Sequence, residues 1–338
     1  MVSRKDKRPI DRLRDSAVSL TVASPDDRGG AIAMFEIDSR LCAVTAGGVY
    51  AVQLADQTDP KRTNPAIRNS TQRLLTVGAD DAIVSAILLT GERLFKATYL
   101  GQSFPEKIAI NLAWQQTKDV TALSKMTKDF EDVQQKIMAE FDPTKITPNQ
   151  LTLPTMDDAE HRFDAFAQKI GHTVNTLEAL ARLFYPELKA KWIDGLMKIT
   201  VDRYGAAAPF ARYMGEIGKT LLFMRDLRNM VEHPKPGLRA RVFDFRQVET
   251  GEILVPSVEF EGSPYGTLPN ALHTIMSLLT EGIASMTEHL VVHLCNANVK
   301  PFGGLDVRVV ELPTEERGSS NVRFAYAGYR DGKFLRLG

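Results

Sequence analysis

Apolar residues recur at steps of three and four through much of the second half of the chain, and they alternate with polar ones near both ends. The first pattern marks amphipathic helices; the second marks strands with one buried face. Phe163, Phe166, Ile170, Val174, Leu177, Ala181 and Phe184 make one helical stripe that stops near Tyr185-Pro186. A shorter helix is predicted over about 187–202. Phe210, Met214, Ile217, Leu221, Met224, Leu227 and Val231 make the next stripe, and Leu272, Ile275, Leu279, Ile283, Met286, Leu290 and Leu294 the last. Between these two, residues 239–260 read as an inserted hairpin turning at Glu249-Thr250-Gly251-Glu252.

The first half is mixed. Residues 31–44 read as a hairpin around Asp38-Ser39, and 48–55 as a third strand or a short helix. Residues 56–70, rich in Pro, Asn, Asp and Thr, form a long loop, and such loops are often functional. Its Lys61, Arg62 and Arg68 suit phosphate contact or plain solvation. A helix is predicted over 79–97, after Gly78, with Asp80 and Asp81 near its positive end. Another runs over 116–141, with Val120, Leu123, Met126, Phe130, Val133, Ile137 and Phe141 on one side. The three prolines and absent periodicity of 142–157 mark a domain boundary. At the far end DVRVVEL, VRFAYAGY and KFLRL form a small β unit. The expected class is α+β. It comprises a mixed domain over 1–145, a helical domain over 158–300 and a β tail over 304–338.

Composition narrows the function classes. The formal net charge is zero, so any nucleic-acid contact must use local basic patches. One such place is the start, where Arg4, Lys5, Lys7, Arg8, Arg12 and Arg14 face three aspartates; it reads as a nucleic-acid arm or a solvated tail. Cys42 and Cys295 are far apart and form neither a disulfide framework nor a CxxC metal site, which suits a reducing cytosol. The first residues have no apolar core of a secretory signal, and no apolar run approaches the roughly 18 residues of a membrane span. The expectation is a cytoplasmic protein with no membrane partner.

The chemistry concentrates in Arg228-Asn229-Met230-Val231-Glu232-His233, followed by Pro234. Five residues along a straight helix turn the side chains about 140° apart, so Arg228 and His233 converge only if the helix stops. Pro234 disfavours helix at the preceding residue, making His233 the terminus. Arginine is a planar, permanently charged phosphate ligand, and histidine moves protons near neutral pH. Asn229, one turn before His233, is placed to orient the imidazole or bind phosphate. An ordinary reading stands beside this one: Arg228 and Glu232 are spaced as a surface ion pair, and Asn229 and His233 as helix-end residues. Arg203, Tyr204 and Arg212 are further candidates to line a cleft near the motif. His289 and His293 have zinc-ligand spacing without the HExxH order or a third ligand, which favours a packed histidine. GxSxG, Walker A and dinucleotide glycine patterns do not occur.

An arginine, a polar residue and a histidine closing the penultimate long helix of a bundle resembles the HEPN superfamily over 158–300. Its motif is Arg, four to six residues, then His, often with Asn directly after the Arg. The resemblance implies a four- to five-helix bundle that pairs as a homodimer, joining two motifs in one composite cleft. It implies a metal-independent ribonuclease needing no cofactor, at home in toxin–antitoxin or anti-phage defence, with RNA as substrate and an antitoxin or regulatory partner. Arg228, Asn229 and His233 map to the motif's three positions. Other members are inactive dimerisation or ligand-sensing scaffolds. Two departures stand out: the inserted hairpin directly follows the motif, and Glu232 places a carboxylate beside the histidine. The N-terminal half is similar to regions of uncharacterised bacterial proteins; its expected role is to sense a trigger or hold the nuclease silent.

Overall fold

The structure, a computed structural model, describes residues 7–16, 30–141, 150–261, 269–330 and 333–337. Arg4, Lys5 and the first half of the proline-rich stretch lie outside them. The chain is mixed α and β, as expected, with several small sheets. It divides into two compact units, 1–114 with 299–338, and 115–298. The division falls at 114/115 and 298/299, whereas the sequence pattern places it at the prolines and sets the tail apart.

The first unit begins with α1 (Pro9–Ser16). A four-stranded antiparallel sheet follows: β1 (Ala33–Ile37), β2 (Arg40–Val44), β3 (Val49–Gln53) and, after the short α2 (Ala55–Thr58), β4 (Ser70–Leu75). Asp38 and Ser39 sit at φ 48° and 61°, the double left-handed conformation that reverses a two-residue hairpin without splaying its strands. The expected hairpin is therefore present, and 48–55 resolves into a strand that leads into α2. At Gly78 the chain presses on the backbone of Thr45, Ala46 and Gly48, leaving no room for a Cβ. Ala79 and Asp80 donate there to Thr45 O (2.8 Å) and Ala46 O (3.1 Å).

The helix expected over 79–97 is broken. A π-helical turn spans Val84–Leu89, then come α3 (Thr90–Leu94) and α4 (Ala97–Leu100). Thr90 Oγ1 donates to Ser85 O at 2.9 Å, a side-chain bond that competes with the regular ladder. The C-terminal strands β10 (Asp306–Glu311), β11 (Phe324–Arg330) and β12 (Lys333–Arg336), numbered after those of the second unit, form one antiparallel sheet. They belong to this unit for visible reasons. Tyr326 OH donates to Leu94 O (2.7 Å), its ring lies 4.3 Å from Tyr99, and Lys300 N–H bonds Tyr99 O (2.7 Å).

α5 (Glu106–Glu140) starts ten residues before the predicted helix, and the unit division falls within it. The second unit then holds α6 (Ala159–Phe184), α7 (Trp192–Tyr204), α8 (Pro209–Glu232) and α9 (Leu272–Asn298). Phe163, Phe166, Ile170, Val174 and Leu177 of α6, Met214, Leu221, Met224 and Leu227 of α8, and Met276, Ile283, Leu290 and Leu294 of α9 are fully buried. Neutral polar pairs cross this apolar packing: Gln116 Nε2 donates to Thr287 Oγ1 (2.9 Å), and the Thr127 and Thr280 hydroxyls meet at 3.3 Å. Such pairs fix which residues of α5 and α9 face each other, although the buried Gln116 Oε1 has no partner among the described residues.

The inserted hairpin is present in two stages. Its base pairs β5 (Arg239–Phe243) with β8 (Ser257–Glu261), and its tip pairs β6 (Arg246–Gln247) with β7 (Ile253–Leu254). β9 (Asn270–Ala271) adds to β8. Phe260 meets Phe223 of α8 edge to face, with ring centroids 5.2 Å apart. Asp244 accepts the Met156 N–H (2.9 Å), tying the end of the proline-rich stretch to this unit.

Candidate functional site

The motif sits at the last turn of α8, and the helix stops where Pro234 requires. Glu232 is the final helical residue; His233 leaves the helix at φ −132°, ψ 59° while its N–H still bonds Asn229 O (3.0 Å). Lys235 and Leu238 then bridge each other across a tight turn, with Gly237 at φ 74°. The stem of Arg228 lies beside Gly171 of α6, where a Cβ would sit 3.9 Å from its Cβ and Cδ.

Glu232 gathers the motif. Its Oε2 accepts a hydrogen bond from Arg228 Nε at 2.7 Å and lies 4.0 Å from His233 Nε2. The Glu232 side chain is only 18% exposed, whereas those of Arg228 and His233 are 48% and 72% exposed. One largely covered carboxylate thus bonds Arg228 and lies within 4.0 Å of His233, both of them exposed at the same corner. Arg228 engages it through Nε, so neither terminal nitrogen takes part in this bond. Asn229 is exposed on the same turn. The exposure of His233 also shows that the inserted hairpin does not cover it within the chain. Arg239 and Arg241 of that hairpin approach Glu261 at 3.9 and 3.6 Å.

Other side chains singled out in the sequence lie elsewhere. Arg203 and Tyr204 end α7, and Arg212 lies in the first turn of α8. At about 1.5 Å per residue, sixteen residues of helix put Arg212 roughly 24 Å from Arg228. These three therefore mark the opposite end of the bundle and do not line the motif. Arg203 pairs with Glu187 and stacks over Tyr185 at 5.2 Å. The Tyr204 hydroxyl meets that of Tyr185 at 3.0 Å.

His293 packs between Phe210 (ring centroids 5.3 Å apart) and Tyr213 (4.6 Å). Burial first, and His289 second, push its pKa down to about 4. His289 directs Nδ1 at Ser285 O, 2.8 Å away. Among the described residues no group of three His, Cys, Asp or Glu side chains is placed to hold a metal. Cys42 and Cys295 are both buried, and burial raises the Cys42 thiol.

In the first unit Lys7, Arg8, Arg14 and Arg62 are paired with aspartates and are not held out as an arm. Arg14, its side chain 7% exposed, donates to Asp56 (2.8 Å) and Asp59 (2.9 Å), and Arg62 binds Asp56 (2.6 Å) and Asp15 (2.8 Å). The described residues of the basic start thus form a docked helix, and Arg62 is not open to phosphate. Among the described residues no helix is long and apolar enough to cross a membrane.

No protein-family model, curated protein or solved structure matches this chain.

Proposed function

We propose that the protein is a metal-independent endoribonuclease of the HEPN type, working as a homodimer in bacterial anti-phage defence or toxin–antitoxin biology. The observation that carries this reading is the convergence of exposed Arg228 and His233 on Glu232 at a helix end stopped by proline. In the reaction, His233 of one copy removes the proton of a ribose 2′-hydroxyl. The oxygen attacks the adjacent phosphorus, and the 5′-oxygen leaves with a proton from the second copy's His233. Arg228 binds the non-bridging oxygens as charge builds on them, and Asn229 positions the group. The products are a 2′,3′-cyclic phosphate and a 5′-hydroxyl. No cofactor takes part. RNA is the substrate, and an antitoxin or regulatory partner restrains the site.

The competing reading is a silent HEPN-like scaffold for dimerisation or ligand sensing. It is favoured by the 2.7 Å bond between Arg228 and Glu232, which is also an ordinary i,i+4 helix-surface ion pair. Cleavage of total RNA and of tRNA in EDTA separates the two, with Arg228→Ala and His233→Ala matched to the parent for melting temperature and dimer content. The nuclease predicts cutting by the parent alone. The scaffold predicts no cutting by any of the three.

A further inference from the structure

A recess of about 420 Å³ opens in the first unit, on the sheet formed by β2, β3 and β4. Its size lies within the range of small-molecule sites, about 300–1,000 Å³. Four separate stretches of chain meet there: 39–40, 51–53, Gln57 of α2, and 70–72.

The strand register explains the lining. Gln53 stands opposite Ser70, and Ala51 opposite Gln72, so these four side chains share one face of the sheet. Leu41 pairs with Val52, so the next position outward sets Arg40 in the row of Gln53 and Ser70. The small Ala51 side chain leaves the space that longer neighbours would fill. Gln57 closes the end of the recess; its Oε1 accepts the Leu54 N–H at 2.9 Å, leaving the Nε2 amide to donate. Gln53 donates through Nε2 to Thr58 Oγ1 at 3.0 Å, leaving its Oε1 to accept.

The charge of this lining is one-sided. Arg40 is the one ionised side chain in it, and no carboxylate lines the recess. Among the described residues Arg40 has no ion-pair partner, unlike Arg14 and Arg62 of the same unit. The remaining chemistry is neutral: amides and hydroxyls that both donate and accept.

We infer that this recess binds a small hydroxylated oxyanion, a phosphate monoester or a carboxylate, with the anionic group on Arg40 and the hydroxyls on Gln53, Gln57 and Gln72. A planar guanidinium fork suits two oxygens of one anion. The three amides suit a polyol, whereas a mainly apolar ligand would leave them without partners. This site is independent of Arg228 and His233, so it stands or falls apart from the nuclease reading.

The test is ¹⁵N NMR of the side-chain amides of the whole protein, titrated with glycerol 3-phosphate, glycerate or glycerol at millimolar concentration. Either anion is expected to shift the Gln53, Gln57 and Gln72 amide signals, and the one that does so identifies the anionic group. Arg40→Met is expected to weaken binding at least tenfold with an unchanged melting temperature. Ala51→Leu, which keeps Arg40 and fills the recess, is expected to abolish it. Amides that respond to neither anion would overturn the inference. So would glycerol acting as well as the anions, or undiminished binding by Arg40→Met.

Discussion

The end of α8 and the recess on the β2–β4 sheet are built in opposite ways. At the end of α8 the residues proposed to act come from within six consecutive positions, and one proline ends the helix that carries them. In the recess the lining comes from four stretches that only the sheet register brings together. The helix end carries an arginine beside a carboxylate, the recess an arginine with none among the described residues. A site read from contiguous residues can be recognised as a motif. A site assembled by strand pairing is visible only in the fold.

Breaking each region should produce different signatures. The largest effect is expected from His233→Ala. Loss of a general acid–base should lower RNA cleavage by about 10²–10⁴-fold, while a side chain this exposed should leave the melting temperature unchanged. A variant that melts early would place His233 in the structural framework. Next comes Gly78→Ala, on the side of the sheet, where a Cβ has no room against the backbone of Thr45, Ala46 and Gly48. Overpacking of this kind should cost about 3 kcal/mol in denaturant unfolding; a neutral result would mean that the close approach is not held.

Acid should act on the first unit through α1. Backbone N–H groups of Asn64 and Thr63 hold the Asp59 carboxyl well below the usual range, and Arg62 and then Arg14 lower Asp56. Carboxyls depressed by folding stabilise above their unfolded pKa, about 4. That contribution is lost as pH falls through the lower folded values. Protection of the α1 amides from hydrogen exchange, relative to the intrinsic rate at each pH, should therefore hold down to about pH 4 and fall below it. Equal protection throughout would show that the aspartates do not hold the helix.

Two smaller effects sharpen the picture at α8. Gly171→Ala meets only ordinary contacts at 3.9 Å and should stabilise by about 0.5–1 kcal/mol. A loss of stability would mean that the stem of Arg228 packs more tightly there. A double-mutant cycle on Arg228 and Glu232 should give a coupling of about 0.3–0.5 kcal/mol. A value near 2 kcal/mol would favour the scaffold reading.

Local signals carried much of the fold. The stripes located α6, α8 and α9, the Asp38-Ser39 turn located the first hairpin, and Pro234 located the end of α8. The apolar stripe alone does not reveal the start of α5; Pro105 directly before Glu106 is the helix-start signal for it. The π-helical turn at Val84–Leu89 is not legible, because apolar spacing does not distinguish a helix with an extra residue in one turn from a regular one. Nor is the membership of the C-terminal strands in the first unit. The Tyr326–Leu94 bond that ties them there spans 232 residues of sequence. The same distance problem leaves Arg203, Tyr204 and Arg212 as candidates in the sequence, because their place at the other end of α8 follows only from helix length.

The most direct test is the chemistry of the cut ends. RNA incubated with the purified protein in EDTA should yield fragments with 2′,3′-cyclic phosphate and 5′-hydroxyl termini, and His233→Ala should yield none. Fragments with 3′-hydroxyl and 5′-phosphate ends, or cutting that survives in His233→Ala, would contradict the assignment of this helix end as the active site.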